Sequence, residues 1–131
     1  MAVGCKNLSR TASFCTNYCA WVMWRWTDLY HHYYFVLKTG GIEFGKKDTS
    51  CSCEQQVFLK TASSPKLQLG TWDHIKISSI GKHTTVWLDG TKVVDMDDPS
   101  YSSTADMSGG YIGLYSEDAS VAFDKVSVTP Q

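Results

Sequence analysis

The sequence predicts an all-β protein, an antiparallel sandwich of two sheets, on the evidence of strand alternation and turn signals. In WDHIKISSI, Ile75 and Ile77 share one face and polar residues occupy the other, as in a half-buried strand. The segments HTTVWL and TKVVDM are separated by Asp89-Gly90, a pair typical of a two-residue hairpin turn. No segment sustains a helical period. Turn residues recur about every 8 to 12 positions, which predicts about nine or ten short strands.

Turn residues also divide the remaining sequence into short strands. Gly40-Gly41 separates YYFVLK from IEFGKK, and SSPKLQLG and DDPSYSSTADMSGG are rich in loop residues. YIGLYSED alternates again, as does the start of ASVAFDKVSV. The stretch WVMWRWTDLYHHYYFV, residues 21–36, holds seven of the chain's 17 Phe, Trp and Tyr residues. Such a stretch supplies sandwich core, a stacking surface for a flat ligand, or both.

Length and composition indicate one domain over residues 1–131. Hydrophobic residues make up 43% of the chain, which is enough for one sizeable core. The 12 Lys and Arg residues face 13 Asp and Glu residues, a net charge of -1, so we expect no nucleic-acid partner. The sequence has neither a membrane-spanning apolar run nor the apolar region of a signal peptide, so we expect no membrane association. An intracellular protein and a trimmed extracellular domain would both present this sequence.

The C-terminal half resembles a known fold family. The run GTWDHIKISSIGKHTTVWLDGTKVVDMDD is followed, after a polar loop, by GGYIGLYSEDASVAFDKVSV. This pattern resembles concanavalin A-like jelly rolls, above all the laminin-G-like and 3-keto-disaccharide-hydrolase-type domains. The matching positions are Trp72, Gly81, Asp89-Gly90, Gly110, Ile112-Gly113-Leu114, Val121, Phe123-Asp124 and Val126. The resemblance covers residues 18 to 130 and implies a jelly roll, a fold used by lectins, carbohydrate-binding modules, glycoside hydrolases and protein-binding domains.

The first 17 residues depart from the resembled pattern. A short segment with Cys5 and Cys15 stands where the family has a longer, alternating opening strand. We therefore expect an uncovered edge on one sheet. Such an edge can pair with a second chain, and a homodimer is one form of that pairing.

The cysteines allow several interpretations. The chain has five, Cys5, Cys15, Cys19, Cys51 and Cys53, so at least one lies outside any disulfide within the chain. In an extended segment the Cα atoms of Cys51 and Cys53 would lie about 7 Å apart, too far for a relaxed disulfide. Long-range disulfides, a zinc site and separate thiols without a role remain open, although C-x3-C with C-x-C is not a usual zinc spacing.

Alternation along the aromatic stretch predicts an outward surface. The resembled domains carry an outward Arg, and we expect Arg25 to take that position. Val22, Trp24 and Trp26 would then face inward. The outward candidates are Trp21, Arg25, Tyr34, Lys38 and Glu43. Sugar rings offer C–H faces that stack on Trp and Tyr, and hydroxyls that need charged partners, so this set predicts a saccharide site. The alternative is that the set packs beneath a loop or against another subunit.

Two further candidates lie elsewhere in the sequence. Trp87 is expected to face outward, because Val86 and Leu88 take the inward positions of its strand. Acidic residues near strand ends provide oxygen ligands that suit Ca2+. The candidate ligands are Asp95, Asp97, Asp98, Glu117 and Asp118. Solvated loop charges are the alternative interpretation of these residues.

The sequence contains no pattern that nominates a catalytic centre. It has no Glu-x-Asp pair to place two carboxylates across a glycosidic bond, and no Gly-x-Ser-x-Gly, phosphate-loop or His-Glu-x-x-His motif. We therefore predict a non-catalytic, lectin-like module that binds a glycan or polysaccharide. A protein-interaction or self-associating module is the alternative, and a glycoside-acting enzyme is the third hypothesis.

Overall fold

The structure is a computed structural model that describes residues 2–5, for which only the backbone is described, and residues 19–48, 56–101, 109–117 and 119–129. These ranges contain ten strands: β1 (Ala2–Cys5), β2 (Cys19–Asp28), β3 (His31–Lys38), β4 (Gly41–Lys47), β5 (Gln56–Ala62), β6 (Trp72–Ile80), β7 (His83–Leu88), β8 (Thr91–Asp97), β9 (Tyr111–Glu117) and β10 (Val121–Asp124). No helix in the described ranges is long and apolar enough to cross a membrane.

The strands form two five-stranded antiparallel sheets. One, the back sheet, has the order β10-β1-β6-β7-β8, and the other, the front sheet, has the order β5-β4-β3-β2-β9. Strands distant in sequence pair within each sheet, as β9 pairs with β2 and β10 with β1. The predicted all-β jelly-roll sandwich is confirmed.

The core lies between the two sheets, as the alternation predicts. From β6 and β7, Ile75, Val86 and Leu88 are buried in it, with Ile77 packed against its margin. From the front sheet the core includes Ala20, Val22, Trp24, Tyr33, Phe35, Leu37, Ile42 and Phe44. Removing this apolar surface from water is the main term that holds the sheets together.

The predicted hairpin between β7 and β8 is also confirmed. Leu88 pairs with Thr91 across the turn, and both turn residues have positive φ, 50° at Asp89 and 81° at Gly90. This geometry matches the right-handed twist of paired strands. The Asp89 carboxylate accepts a hydrogen bond from the backbone N–H of His74 at 2.8 Å, which ties the turn to β6.

A β-bulge at Arg25 interrupts the alternation of β2. Arg25 has φ 50°, and the pairing of β2 shifts register after Trp24 on the β3 side and after Met23 on the β9 side. One extra residue exchanges the faces of the residues that follow it. Trp26 consequently lies on the outer face beside Met23, so its predicted inward position is wrong.

The predicted outward position of Arg25 is wrong for the same reason. Its guanidinium lies on the inner side, where it donates to the carbonyl oxygens of Gly81 at 2.9 Å and Ser79 at 3.3 Å. It also lies 5.7 Å from the ring centroid of Tyr33 and 5.9 Å from that of Tyr101. Arg25 therefore joins the front sheet to the β6–β7 turn of the back sheet instead of facing a ligand.

Candidate functional site

The outer face of the front sheet contains a depression of about 920 Å³, here called the front depression. Residues from five strands and one turn line it: Cys19, Trp21, Met23, Trp26, Leu29, His32, Val36, Lys38, Glu43, Lys47, Gln56, Phe58, Ile112, Gly113, Leu114, Tyr115 and Glu117. Both faces of β3 are buried: Phe35 and Leu37 lie in the core between the sheets, and Tyr34 and Val36 lie in a second cluster on the outer face.

Two glycines lower the floor of the depression. The ring of Tyr34 lies over Gly45, where a Cβ atom would collide with the Tyr34 hydroxyl and the carbonyl oxygen of Val57. At Gly113, a Cβ would lie 3.1 Å from Cε of Met23, tighter than an ordinary contact. Tyr34 is 0% exposed, so its ring lies beneath the floor and supports it. The missing side chains at these two positions keep the middle of the face low.

Aromatic side chains stand around the floor. The ring of Trp21 lies 5.0 Å from that of Tyr34 and 6.1 Å from that of Tyr115, while Trp26 stacks on His32 at 4.3 Å. Phe58 stands more than half exposed on β5. The Arg25 bulge is what brings Trp26 to the same face as Trp21. The depression thus has an aromatic side chain at each end of its β2 margin.

A hydrogen-bonded polar group lies on the floor between these aromatics. Tyr34 Oη donates to Glu43 Oε1 at 3.1 Å and accepts from Gln56 Nε2 at 2.8 Å. Lys38 Nζ pairs with Glu43 Oε2 at 2.8 Å. Burial raises the pKa of Tyr34, so its hydroxyl stays protonated at neutral pH. Glu43 is therefore held in one orientation by three neighbours.

One end of the depression carries a row of three polar residues. His32, Lys47 and Gln56 are directly paired across β3, β4 and β5. His32 Nδ1 lies 3.2 Å from the carbonyl oxygen of Asp28 and donates to it. Burial lowers the pKa of His32 below its usual 6.5, and the charge of Lys47 adds to this. The hydrogen bond to the Asp28 carbonyl and the nearby Asp28 carboxylate oppose the shift without reversing it, so the ring is neutral near pH 7.

The structure brings four of the predicted site residues together. Trp21, Lys38 and Glu43 line the depression, and Tyr34 is buried beneath it in contact with Trp21 and Glu43. Arg25 does not belong to this group. Trp87 is outward as predicted but lies on the back sheet, where Lys76 Nζ sits 4.9 Å from its ring centroid.

Sequence reasoning missed several lining residues. His32 and Tyr115 occupy outward positions in the alternation of their strands, so that signal was present in the sequence. Lys47 follows from the pairing of β4 with β3, which needed the strand boundaries. Trp26 had no signal, because a bulge at an Arg has no composition cue of the kind that Gly or Asn provides.

The predicted calcium ligands do not converge within the described residues. Asp95 and Asp97 contact His83 at 2.9 Å and 2.7 Å, and Lys92 and Lys82 also pair with them. Hydrogen bonds from Lys92 and His83 lower the pKa of Asp95 to about 2. Glu117 lies instead in the front depression, and Asp118 falls outside the described residues. No group of three or more His, Cys, Asp or Glu side chains in the described ranges could hold a metal ion.

Asp98 differs from the other candidate calcium ligands because it is buried. Its carboxylate accepts from Lys46 Nζ at 2.8 Å and from Tyr33 Oη at 2.6 Å, between the sheets. Burial alone would raise its pKa, but the hydrogen bonds from Lys46 and Tyr33 outweigh burial and hold the pKa below the usual range. This arrangement neutralises the carboxylate with protein groups.

Most of the cysteine predictions fall outside the described residues. Cys19 is buried and lines the front depression. The structure describes only the backbone of Cys5, and Cys15, Cys51 and Cys53 lie outside the described ranges. Disulfide pairing and zinc binding therefore stay predictions.

Comparison with known proteins shows the family of the chain and a solved structure with a similar fold. A family model described as a 3-keto-alpha-glucoside-1,2-lyase-like domain matches residues 11–129. Among solved structures, the carbohydrate-binding module CBM66 from Bacillus subtilis is similar, with a TM-score of 0.63 and 15% sequence identity. The similarity covers 92% of this chain but 66% of that chain, so this chain spans just under two thirds of its neighbour. A search of curated proteins gives no match. Because the family model matches most of its length, the chain belongs to the family of 3-keto-alpha-glucoside-1,2-lyase-like domains.

Proposed function

We propose that the protein is a non-catalytic carbohydrate-binding module whose front depression holds a segment of an oligosaccharide or polysaccharide. The observation that carries this proposal is the combination of two partly exposed indoles, Trp21 and Trp26, on one face of the sheet. Between them lies the hydrogen-bonded group of Tyr34 and Glu43. A volume of about 920 Å³ accommodates a few sugar rings.

The chemistry of the lining suits a sugar. The apolar C–H face of a pyranose or furanose ring packs on an indole or phenol ring, and its hydroxyls need donors and acceptors. Lys38, 28% exposed at its side chain, offers an ammonium donor, and Glu43, 10% exposed, offers the remaining lone pairs of its already hydrogen-bonded carboxylate as acceptors. Because Tyr34 and Gln56 hold Glu43 in place, little side-chain entropy is lost when a hydroxyl binds.

The comparisons support a carbohydrate ligand. The similar solved structure is by its title a carbohydrate-binding module, and the family description refers to a glucoside. The same description refers to a lyase. In the front depression, however, Glu43 is committed to Lys38, Tyr34 and Gln56, and the His32 ring is covered by Trp26. Binding is therefore the function that the geometry favours over catalysis. Turnover of a 3-keto-glucoside by the purified protein would contradict this part of the proposal.

The experiment is a pull-down on insoluble polysaccharides with a glycan array, run in calcium and in EDTA. Trp21→Ala and Trp26→Ala are expected to weaken binding about tenfold or more, since each removes a stacking surface. Trp87→Ala is the matched control, because it removes an outward indole from the back sheet. Equal losses in all three variants, or no binding by the unmodified protein, would refute the proposal. Calcium dependence would instead favour the acidic loops as the ligand site.

Self-association is a second candidate function, favoured by β9. This strand pairs with β2 along one edge, and no described strand pairs with its other edge. Leu114, opposite the buried Val22, is 37% exposed, and Ile112 on the same side is 40% exposed. In β9 the one charged residue is Glu117, whereas the β8 edge carries Lys92, Asp95 and Asp97. Charges of this kind protect an edge from pairing, and β9 largely lacks them.

The partner proposed for β9 is a second copy of this chain. Antiparallel pairing of β9 with itself about Leu114 sets Glu117 opposite Tyr111, so like charges do not meet. Light scattering over a range of concentrations tests this candidate. Ile112→Lys is expected to abolish the dimer, while Ile80→Lys, an exposed position on β6, is expected to leave it intact. A monomer at all concentrations would rule the candidate out.

A further inference from the structure

The charges in the front depression are separated along its length. Among the residues that the structure describes, two lysines and two glutamates line it. Lys38 and Glu43 neutralise each other through a 2.8 Å ion pair. The charges left over are Lys47, in the row that contains His32, and Glu117, which pairs with Cys19 in the row that contains Lys38. His32 and Lys38 are six positions apart on β3, so the two rows lie about 20 Å apart along the strand direction.

Lys47 is the cation that a ligand would meet. Within the described ranges no carboxylate forms an ion pair with it, since the adjacent Asp48 pairs with Lys46 instead. The side chains in its row, His32 and Gln56, are uncharged near pH 7. The indole of Trp26 stacks on the His32 ring, which is 3% exposed, and Lys47 beside it is half-buried. An ammonium in such a partly dehydrated position attracts an anion more strongly than one in open water.

The opposite end has the opposite preference. Glu117 Oε2 accepts a hydrogen bond from Trp21 Nε1 at 3.2 Å, which fixes the carboxylate beside the Trp21 wall. An acidic group bound here would face a carboxylate at close range. Such repulsion disfavours wrong ligands as effectively as attraction favours right ones.

We infer that the bound saccharide carries a single carboxylate, on the sugar that lies at the Lys47 end, and that its remaining sugars are neutral. This inference rests on the proposed carbohydrate-binding function and defines the ligand class of the same site. The uronic acid ion-pairs with Lys47, its neighbouring ring packs against Trp26, and the neutral sugars extend over Tyr34 towards Trp21 and Glu117. A chain with an acid on every sugar would place a negative charge beside Glu117.

Calorimetric titration with three oligosaccharides of equal length tests the inference. One is neutral, one is the same chain capped by a single uronic acid, and one is a polyuronate. The capped chain is expected to bind about tenfold more tightly than the neutral chain, and more tightly than the polyuronate. The preference for the cap is expected to shrink as salt is raised, since salt screens the ion pair.

Two variants keep the test specific. Lys47→Met is expected to remove the preference for the uronic acid cap while neutral binding persists, and Lys76→Met on the back sheet is the matched control. Glu117→Gln, which keeps an acceptor for Trp21, is expected to improve binding of the polyuronate. A chain capped by a sulfate ester instead of a carboxylate, if it bound more tightly, would overturn the carboxylate assignment.

The outcomes separate this inference from the proposal beneath it. Equal affinity for neutral and capped chains, or an unchanged preference in Lys47→Met, overturns the inference and leaves carbohydrate binding standing. No binding of any of the three oligosaccharides overturns both.

Discussion

Two neighbouring tyrosines on β3 take part in the same arrangement on opposite faces of the front sheet. Tyr33 Oη donates to Asp98 Oδ2 at 2.6 Å on the inner face, and Tyr34 Oη donates to Glu43 Oε1 at 3.1 Å on the outer face. Each carboxylate also pairs with a lysine at 2.8 Å. The residue types are nearly the same in both places, so their difference in role must come from their surroundings.

The inner group connects different parts of the fold and is closed to solvent. The side chains of Lys46 and Asp98 are each 1% exposed, and they join β4 to the segment that follows β8 in the other sheet. Lys46 Nζ also donates to the carbonyl oxygen of Ser100 at 3.0 Å. The outer group lies within one sheet, and its Lys38 is 28% exposed. The inner pair therefore fixes the two sheets together, whereas the outer pair lies within one sheet and keeps its lysine partly exposed.

Lys46→Met is expected to have the largest effect, because it removes the cation from two buried carboxylates. Breaking a buried pair on one side costs about 3–5 kcal/mol of unfolding free energy. Urea denaturation measures this loss of unfolding free energy. Lys60→Met is the control, because Lys60 is exposed on β5 and its ammonium donates to one carbonyl oxygen, that of Val93. A loss below about 1 kcal/mol would mean that the inner group is not structural.

The same pair has a pH signature. The pKa of Asp98 in the folded protein lies below its usual value of 3.8. Its contribution to stability is therefore present above pH 3.8 and is lost as the pH falls through the lowered pKa. The difference in unfolding free energy between the unmodified protein and Lys46→Met should narrow in acid. A constant difference across the acidic range would contradict this assignment.

Gly45→Ala is expected to have the next largest effect, and it tests whether Tyr34 supports Glu43 in the outer group. The added Cβ must displace the Tyr34 hydroxyl or the β5 backbone, at a cost of about 1–3 kcal/mol in stability. Sugar binding should fall with it, because Tyr34 supports Glu43. Gly109→Ala is the matched control, since no atom lies within 4 Å of its added Cβ. Denaturation and glycan titration on both variants measure the two effects.

Glu43→Gln distinguishes binding from stability. The amide keeps an acceptor for Tyr34 but loses the charge that pairs with the partly exposed Lys38. We expect a smaller loss of stability than in Lys46→Met, because Lys38 is 28% exposed and water can solvate it when the charge of Glu43 is removed, although the Glu43 side chain is itself only 10% exposed. Sugar affinity is expected to fall about tenfold. A stability loss as large as that of Lys46→Met would show that both tyrosine groups have the same role.

Asp73→Asn is the smallest change and concerns a carboxylate that has no lysine partner in the described residues. Burial raises the pKa of Asp73 to about 6, and the charge of Asp89 adds to the effect. The folded pKa lies above the unfolded value of 3.8, so the associated stability is present below pH 3.8 and is lost as the pH rises through about 6. Asp73→Asn should therefore raise stability at pH 7 by roughly 1 kcal/mol. If the unfolding free energy of the unmodified protein and of Asp73→Asn depended on pH in the same way, this prediction would be wrong.

The sequence was sufficient to predict the fold where strands alternate. β6 and β7 each have one face towards solvent and one towards the core. The apolar residues of the core face are Ile75, Ile77, Val86 and Leu88. On β3 alternation still assigned Tyr33 and Tyr34 to opposite faces, although both are buried. Alternation also located Trp21, Lys38 and Glu43 on the outer face. The period of a strand separated the two faces, and the resemblance, through its outward Arg, was needed to choose the outer one. Trp21 lies on the outer face as predicted, although Arg25 does not.

The rest of the site depended on exceptions to that period. The bulge at Arg25 could not be predicted because an Arg rarely adopts positive φ, and the surrounding contacts with Gly81 and Ser79 stabilise it. Asp98 follows the last residue of β8, so no alternation assigned its side. Gly45 is informative only once the Tyr34 ring is known to lie over it. Each of these features depends on partners that are distant in sequence.

The extra residue in β2 has a consequence for how this domain can change over generations. Deleting Arg25 would not merely shorten a strand. It would turn Trp26 towards the interior and remove the guanidinium from the β6–β7 turn in a single step. The outer-face indole and the attachment between the sheets thus depend on the same inserted residue, and its deletion would remove both together.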